Sequence, residues 1–487
     1  MPRPSHEPRP ARSDGAHLAA RPFSRHLFDH TRAQAAFDRQ HDVDELGTRV
    51  QLALAMLWCF FVSAPIAYVE FGGIPLLAFF LWRLPKSWRT LPSLLVQPHA
   101  IFLILWMAWL WASLLWTSTP PLAIEEAGAI RFAWVILAMW PVMDRRPWII
   151  AAYALGLALA QSSQLAQAIG ESLGRHPWHR APDRLSGWSH PVVLGSILTG
   201  AVGLHLAGLT STFSTYIQPK ARRATFRALA ALGLLTSALG VIATGTRGAW
   251  IASMLLACIF LLNLARRAPR AARPRIILAT AIAAAILAAL ALTIARGPIE
   301  RRFGRATHEI SAALREKQFT SDTGARLLMN WWAIEAWTEH PAIGVGAGSY
   351  PDWVRTHLED IGIDPSARSI HDHAHSAPLH TLATLGAIGA LLCATAWILT
   401  IAGGMTPSSR RRASDANSDA PTPSAPSLSV DRTRAPYDTA PGWALLGIAL
   451  AGLFDVVQIN VQTSAHLFTL AALCAPWRPL MKGKSRP

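Results

Sequence analysis

The chain has 487 residues, of which 52% are hydrophobic and only 15% are charged, whereas an ordinary soluble domain has roughly 25% charged residues. This composition excludes a typical soluble enzyme. Lysine and arginine outnumber aspartate and glutamate by 45 to 29, a formal net charge of +16. The basic residues stand in short clusters between long apolar segments, a pattern that sets membrane topology and argues against nucleic-acid binding. The sequence therefore predicts one polytopic membrane unit.

Residues 1–49 form a polar segment before the first apolar stretch. They contain eight arginines and seven acidic residues and lack the apolar core of a cleavable signal peptide. We expect this segment to be a cytoplasmic, disordered arm.

A hydropathy window of about 19 residues predicts twelve transmembrane helices. The predicted spans are 50–69, 71–84, 98–117, 127–143, 148–167, 191–210, 226–244, 249–265, 276–295, 379–403, 442–459 and 463–478. The segments 71–84 and 442–459 are the weakest, because a helix needs at least about 17 residues to cross the bilayer core. The predicted fold class is an all-α polytopic membrane protein with about 12 transmembrane helices.

The loops between these spans alternate in charge. Basic clusters occupy every second connection: Arg83, Lys86 and Arg89; Arg145 and Arg146; Lys220, Arg222, Arg223 and Arg227; Arg266, Arg267, Arg270, Arg273 and Arg275; Arg410, Arg411 and Arg412. Because basic loops stay in the cytoplasm, both termini, including the tail 479–487, are predicted to be cytoplasmic.

Two long connections lie on opposite sides in this topology. The loop 296–378 separates spans 1–9 (50–295) from spans 10–12 (379–478), and it holds eleven acidic residues against nine lysines and arginines. We predict that it is a large, partly helical periplasmic loop. The segment 405–441 is rich in Ser, Pro and Ala, a composition that cannot bury a core, and it is predicted to be a cytoplasmic disordered insertion.

Polar residues at the outer ends of the spans are candidates for function, because such residues are costly in a membrane. Arg247 lies in the tight outer turn between two apolar segments, and Arg184 lies in the outer loop before the sixth span. A planar guanidinium suits phosphate oxygens, although an interfacial arginine can also be a simple anchor. The large loop adds Arg326 and Asn330, which share a face if 324–339 is helical.

Two further motifs lie in the large loop. The glycines of Gly344–Gly348 do not follow a predicted strand, so a flexible turn is favoured over a nucleotide-binding loop. The run His371–His380 is the densest polar cluster. A metal site is disfavoured there, because no Cys or Glu completes a ligand set and no C-x-x-C pair occurs in the chain. Neutral histidine can instead accept a hydroxyl proton near pH 7.

One string in this region matches a known family pattern. His375-Ser376, nine residues, Gly386, two residues and Gly389 fit H-[NSQ]-x9-G-x-x-[GTA]. The chain thereby resembles the O-antigen ligase family over about residues 180–400. The resemblance implies a GT-C-like fold and no cofactor or metal. It implies these site residues: His375, Arg247 and Arg326 as catalytic, with Arg184, Ser376, Asn330 and His373 binding substrate.

The resemblance also implies a reaction and a location. A glycan would pass from an undecaprenyl-diphosphate carrier to the lipid A-core of lipopolysaccharide, among the lipids at the periplasmic face of the bacterial inner membrane. Such a donor is already activated, so the chemistry requires only charge stabilisation on the departing diphosphate and activation of an acceptor hydroxyl. Arginines and His375 can supply these roles, and direct displacement would invert the anomeric centre.

Other functions compatible with the sequence differ in acceptor or in class. An O-antigen polymerase or a protein O-oligosaccharyltransferase would use the same donor, and the short motifs do not separate them. A transporter or flippase of lipid-linked glycan would also have many spans, but it usually places charge near the bilayer midplane and repeats its hydropathy pattern. Here the charged residues crowd the outer ends, which disfavours transport.

Overall fold

The computed structural model describes residues 30–175, 184–210, 220–269, 304–316, 319–360, 372–405 and 439–475, with a few isolated positions between 271 and 278. Every regular element in these ranges is helical. The α-helices are α1 His30–Val43, α2 Glu45–Phe61, α3 Ile66–Ser87, α4 Pro92–Leu95, α5 Pro98–Ala112, α6 Pro120–Ala129, α7 Trp134–Met139, α8 Arg146–Ser172, α9 Pro191–Thr210, α10 Lys220–Ala243, α11 Arg247–Arg267, α12 304–316, α13 Asp322–Glu339, α14 Tyr350–Asp360, α15 Ala377–Met405, α16 Ala440–Ala451 and α17 Val461–Cys474. Short 3-10 helices cover Trp88–Thr90, Ser113–Leu115, Ile130–Ala133 and Trp140–Arg145.

Within the described residues, six helices are long and apolar enough to cross a membrane. They are Ile66–Thr90, Pro98–Leu115, Pro191–Thr210, Ala224–Ala243, Arg247–Arg267 and Ala377–Met405. The chain is a multi-pass membrane protein. The total of twelve spans stays a prediction, and the predicted span 276–295 falls almost wholly outside the described residues.

Several predicted helix boundaries were wrong. The first two spans, 50–69 and 71–84, meet at residues 62–65 because Pro65 begins α3 with an extended backbone, and α3 is therefore much longer than predicted. The span 127–143 is divided into a 3-10 turn, the short α7 and a second 3-10 turn. The predicted span 442–459 ends at Ala451, and residues 452–460 form a loop.

Part of the segment predicted to be disordered is folded. Helix α1 lies within residues 1–49, and its Phe37 is fully buried with its ring 6.0 Å from that of Trp140. Asp44 follows the helix and binds the buried Arg83 guanidinium at 2.8 Å. Arg83, assigned by sequence to a basic loop, is therefore a helix residue that anchors this segment. Residues 1–29 and 406–438 lie outside the described residues.

Helix α9 forms the centre of the bundle. It is mostly buried and packs most closely on α10 and α16. Gly200 and Gly203 face α16, where an added Cβ would stand 3.0 Å and 2.3 Å from the carbonyl oxygens of Ala444 and Trp443. Small residues of this kind let membrane helices approach closely. This packing fixes the first residues of α9 and the end of α16, which lie next to residues 184–190 and to the loop 452–460.

Helix α15 is broken at Gly386, which has φ 65° and ψ −172°. The segment 341–346 lies against the break. Its carbonyl groups accept hydrogen bonds from the first two N–H groups after Gly386, and its N–H groups donate to the carbonyls of Ala383 and Thr384. The segment thus caps both helix ends, as buried backbone groups require. The first half of α15, which begins two residues after His375, is thereby held in a fixed position.

The glycine-rich segment Gly344–Gly348 is therefore a packed loop, and the prediction of a flexible turn was wrong. Gly344 has φ 70°, and a Cβ there would stand 2.4 Å from the carbonyl carbon of Thr384. Gly348 donates its N–H to Glu126 at 2.7 Å. The glycines are needed because the loop backbone lies directly against α6 and α15.

Candidate active site

A cavity of about 470 Å³ lies where the first turns of α9 and α13, the residues before α9 and α15, and the loop 452–460 meet. Its polar lining includes Arg184, His190, Asp322, Arg326, His373, His375 and Asp455. Four residues predicted from sequence for the site, Arg184, Arg326, His373 and His375, are thus brought together from segments far apart in the chain. The size is in the range of small-molecule sites.

His375 stands at the start of α15 and has an unusual backbone. Its φ is 51°, and it is the one non-glycine residue with a positive φ in the described part of the chain. This conformation costs about 1–3 kcal/mol for an ordinary residue, and such strain concentrates at functional sites. The His375 residue is 8% exposed. The fold therefore fixes the imidazole in one place at the cavity wall.

Asp455 and His373 flank this imidazole. His375 Nδ1 lies 3.4 Å from Asp455 Oδ1, and the His373 and His375 ring centroids are 4.3 Å apart. The backbone N–H of Val456 donates to Asp455 Oδ1 at 2.9 Å, which orients the carboxylate. Burial raises the pKa of Asp455, but the adjacent His375 and His373 imidazoles and the Val456 N–H outweigh burial and lower the pKa below its usual value. Asp455 is therefore ionised at neutral pH.

The two arginines of the cavity differ in their contacts. Arg184 donates from Nε to the Thr244 carbonyl at 2.8 Å and from a terminal nitrogen to the Thr246 hydroxyl at 2.9 Å. These bonds tie it to the turn before Arg247. No ion pair or hydrogen bond connects Arg326 to another described side chain. Arg326 therefore presents a cationic group toward the cavity that a bound anion can engage.

Arg247 is not among the residues that line the cavity. Its guanidinium lies 3.5 Å from Glu309 of α12 and is 24% exposed, and Glu309 also accepts a hydrogen bond from Thr323 of α13. The next residue, Gly248, lies so close to Phe454 that an added Cβ would be 2.5 Å from the Phe454 Cβ. In this structure Arg247 links α11, α12 and α13 next to the loop that carries Asp455.

Two other predicted residues do not line the cavity. Ser376 is 5% exposed, and its carbonyl accepts the His380 N–H at 2.8 Å, in the first turn of α15. Asn330 lies on α13, one turn after Arg326, with its side-chain oxygen buried. The predicted helix is confirmed as Asp322–Glu339, so Arg326 and Asn330 do share a face, but only Arg326 reaches the cavity.

The histidine cluster divides into two environments. His373 and His375 line the cavity, whereas His380 is 2% exposed and lies 3.3 Å from Glu126 on α6. The same carboxylate accepts the N–H of Gly348. Glu126 and His380 therefore hold the glycine loop against α15 and do not contribute to the cavity. His371 lies outside the described residues.

Sequence reasoning missed four polar residues of the cavity, His190, Asp322, Asp455 and Asn460. Asp455 falls inside the predicted span 442–459, and the error in the end of that span hid that Asp455 lies in a loop. Its position inside an apolar stretch was the available signal. His190 and Asp322 stand beside Arg184 and Arg326 in loops or first turns, and no pattern distinguished them.

Comparison with known proteins bears on this arrangement. Residues 232–394 match the family model described as O-Antigen ligase. The chain contains an O-antigen ligase domain. The match includes Arg247, Arg326, His375 and the glycine loop, while Arg184 and Asp455 lie on either side of it. No curated protein matched the chain. The O-antigen ligase domain supports a function of the O-antigen ligase or polymerase type.

Proposed function

We propose that this protein transfers a glycan from undecaprenyl diphosphate to the lipid A-core of lipopolysaccharide at the periplasmic face of the inner membrane. The observation that carries the proposal is the single cavity in which His375, paired with Asp455, stands together with Arg184 and Arg326. The two termini are placed in the cytoplasm and the loop 296–378 in the periplasm. Twelve spans and this orientation are part of the proposal.

The arginines bind the diphosphate of the donor. Arg326 offers a planar set of N–H donors that matches phosphate oxygens, and Arg184 is held rigidly beside it by the turn 244–246. Such fixed donors stabilise the charge that develops as the diphosphate leaves. Arg247 supports this wall through Glu309 and α12. The energy for transfer comes from the activated donor, so nucleotide is not needed.

His375 activates the acceptor. The Asp455 carboxylate accepts the Nδ1–H of the ring, which leaves Nε2 with a lone pair that takes the proton of an acceptor hydroxyl. The hydroxyl oxygen forms a bond to the anomeric carbon while the bond from that carbon to the diphosphate oxygen breaks. The bonding electrons leave with the diphosphate, and the proton stays on His375. The base therefore assists one direct displacement.

The acceptor is tested by reconstitution with a panel of acceptors. Purified protein in proteoliposomes receives an undecaprenyl-diphosphate glycan with lipid A-core, with no acceptor, or with an added protein, without nucleotide and with chelator. We expect joined product only with lipid A-core. If the protein instead elongated the donor glycan or glycosylated the added protein, lipid A-core would be the wrong acceptor. Absence of turnover with every acceptor would refute the proposed transferase function.

Replacing Arg326 should weaken donor use. We expect Arg326→Ala to lower kcat/KM for the donor by about 10²- to 10³-fold, the effect typical of removing one donor to a developing anion. Arg326→Lys should lose less activity, because lysine keeps the positive charge. The recovery should be partial, because an ammonium group cannot bind two phosphate oxygens in the bidentate geometry of arginine. Initial rates at varied donor concentration give kcat/KM for both variants. Arg305→Ala, in α12 outside the cavity lining, is the matched control, and equal losses in the two alanine variants would contradict a direct role.

Replacing Asp455 should affect turnover more than donor binding. We expect Asp455→Asn to lower kcat by about 10²-fold, because the amide no longer holds the base in the right tautomer, with a smaller change in donor KM. Asp352→Asn, which alters an exposed carboxylate bonded to Ser118, should keep both constants. A rise in donor KM with unchanged kcat would show that Asp455 does not position the base.

A further inference from the structure

Three groups that commonly bind metal ions converge at the cavity. One ligand atom each from His373, His375 and Asp455 lies within 4.8 Å of the other two. These atoms come from two segments of the chain, the strained turn before α15 and the loop 452–460. Sequence reasoning disfavoured a metal because no Cys or Glu completes a ligand set near these histidines, whereas tertiary packing brings Asp455 beside them.

The spacing of these groups suits a zinc ion. His375 Nδ1 and Asp455 Oδ1 are 3.4 Å apart, which is longer than a good charge-assisted hydrogen bond of about 2.7–2.9 Å. Zinc binds histidine nitrogen and carboxylate oxygen at about 2.0–2.2 Å, so two ligands of a tetrahedral site stand about 3.3–3.5 Å apart. The His373 and His375 rings are inclined at 70° and are not stacked. Small motions of His373 would complete three ligands.

The surroundings favour a stable but accessible site. His375 is fixed by its buried position and positive φ, and the Val456 N–H holds the Asp455 carboxylate. All three ligands line the open cavity, so water can fill a fourth position. Two imidazoles and one carboxylate form a ligand set that zinc prefers over magnesium, which requires near-octahedral oxygen coordination.

We propose that Zn²⁺ binds His373, His375 and Asp455 and reversibly inhibits the enzyme. This role rests on the proposed function, in which Nε2 of His375 accepts the acceptor proton. A metal bound at Nδ1 confines the remaining ring proton to Nε2, so that atom can no longer act as a base. The ion also takes the Asp455 carboxylate away from His375. Zinc thus competes with catalysis and is not a cofactor of it.

Binding is measured first, without reference to activity. Chelator-treated protein in detergent is titrated with Co²⁺, whose visible absorption reports tetrahedral coordination, and the Co²⁺ is then displaced by Zn²⁺. We expect one ion per chain, and at least about tenfold weaker binding in His373→Gln and in Asp455→Asn. His190→Gln changes another histidine of the same cavity and should leave the affinity within about twofold. Mg²⁺ should not displace Co²⁺.

Inhibition is then measured as the rate with Zn²⁺ divided by the zinc-free rate of the same variant. Zn²⁺ should suppress transfer by the wild type, chelator should restore it, and His373→Gln should require at least about tenfold more Zn²⁺ for the same fractional loss. Co²⁺ binding that does not depend on the three residues, or a wild type that chelator inactivates, would overturn the inference.

The two proposals fail separately. An active wild type that binds no Co²⁺ at this site refutes the zinc site and leaves the transferase function intact. Binding of one ion that requires the three residues supports the site even if no acceptor is glycosylated, a result that would count only against the proposed function.

Discussion

Replacement of His375 by asparagine is expected to reduce glycan transfer by about 10³-fold, within the range attributed to a general base. Asparagine is the informative substitution because it tolerates a positive φ, and His375 has φ 51°. The backbone before α15 should therefore keep its conformation while the proton acceptor is lost. Initial rates in proteoliposomes, together with the thermal unfolding midpoint, measure the chemical and structural effects separately.

His357→Asn is the matched control for this substitution. His357 lies on α14, with its ring stacked on Trp353 at 3.7 Å, and it does not line the cavity. We expect near wild-type transfer from this variant. If His375→Asn kept more than about a tenth of the wild-type rate, a loss far below that of a general base, the assignment of His375 as the base would be wrong.

Substitution of Gly386 by alanine is expected to disrupt both stability and activity. The residue has φ 65°, and a Cβ would stand 2.3 Å from the carbonyl carbon of Ala342. The positive φ and the overpacking together should destabilise the fold by at least about 2 kcal/mol. Because Gly386 determines how 341–346 caps the two halves of α15, His375 should also move. A displacement of about 1 Å can reduce catalysis about 10²-fold.

Gly403→Ala tests whether these effects depend on the break. Gly403 lies in the same helix, has no positive φ, and an added Cβ would meet only the Cys474 carbonyl oxygen at 3.9 Å. Alanine there should be neutral or slightly stabilising, because it favours helix. Thermal unfolding and transfer rates of the two variants provide the comparison. A Gly386→Ala protein as stable and active as Gly403→Ala would refute the account of the break.

The sequence predicted membrane-spanning segments well where one apolar helix continues without interruption. The span 191–210 agrees with α9 at both ends, because a helix satisfies its own backbone groups in lipid and hydropathy alone defines it. Prediction failed where proline or a 3-10 turn divides an apolar stretch. A hydropathy average is the same for a broken and a continuous apolar helix. The predicted span 127–143, which two 3-10 turns divide, is one example.

The sequence predicted the site residues that stand in local motifs and missed those that only tertiary packing brings to the site. His375 and Arg326 stand in short motifs with recognisable local context. Asp455 joins them only through tertiary packing of α16 and the loop 452–460 against α15, where the Ala377 N–H bonds the Gly452 carbonyl at 2.7 Å. The ion pair of Arg247 with Glu309 arises in the same way. Contacts between segments far apart in sequence leave no periodic signal in a single chain.

The sequence did not predict the folded helix α1, because the average composition of residues 1–49 conceals single residues that can anchor a helix. Residues 1–49 are polar on average, yet Phe37 is fully buried and Asp44 has a buried cationic partner in Arg83. The hydrogen bond from Gln40 to the Pro141 carbonyl at 2.9 Å also ties this helix to the bundle. Sequence averages do not reveal such individual anchors.

The anomeric configuration of the newly formed glycosidic bond tests the central claim most directly. Wild-type protein in chelator-treated, nucleotide-free proteoliposomes would be given a donor of known configuration and lipid A-core, and the linkage in the product determined by nuclear magnetic resonance. A hydroxyl activated by His375 that displaces the diphosphate directly gives an inverted centre. Retention of configuration would indicate a covalent glycosyl-enzyme intermediate and would contradict the role assigned to His375.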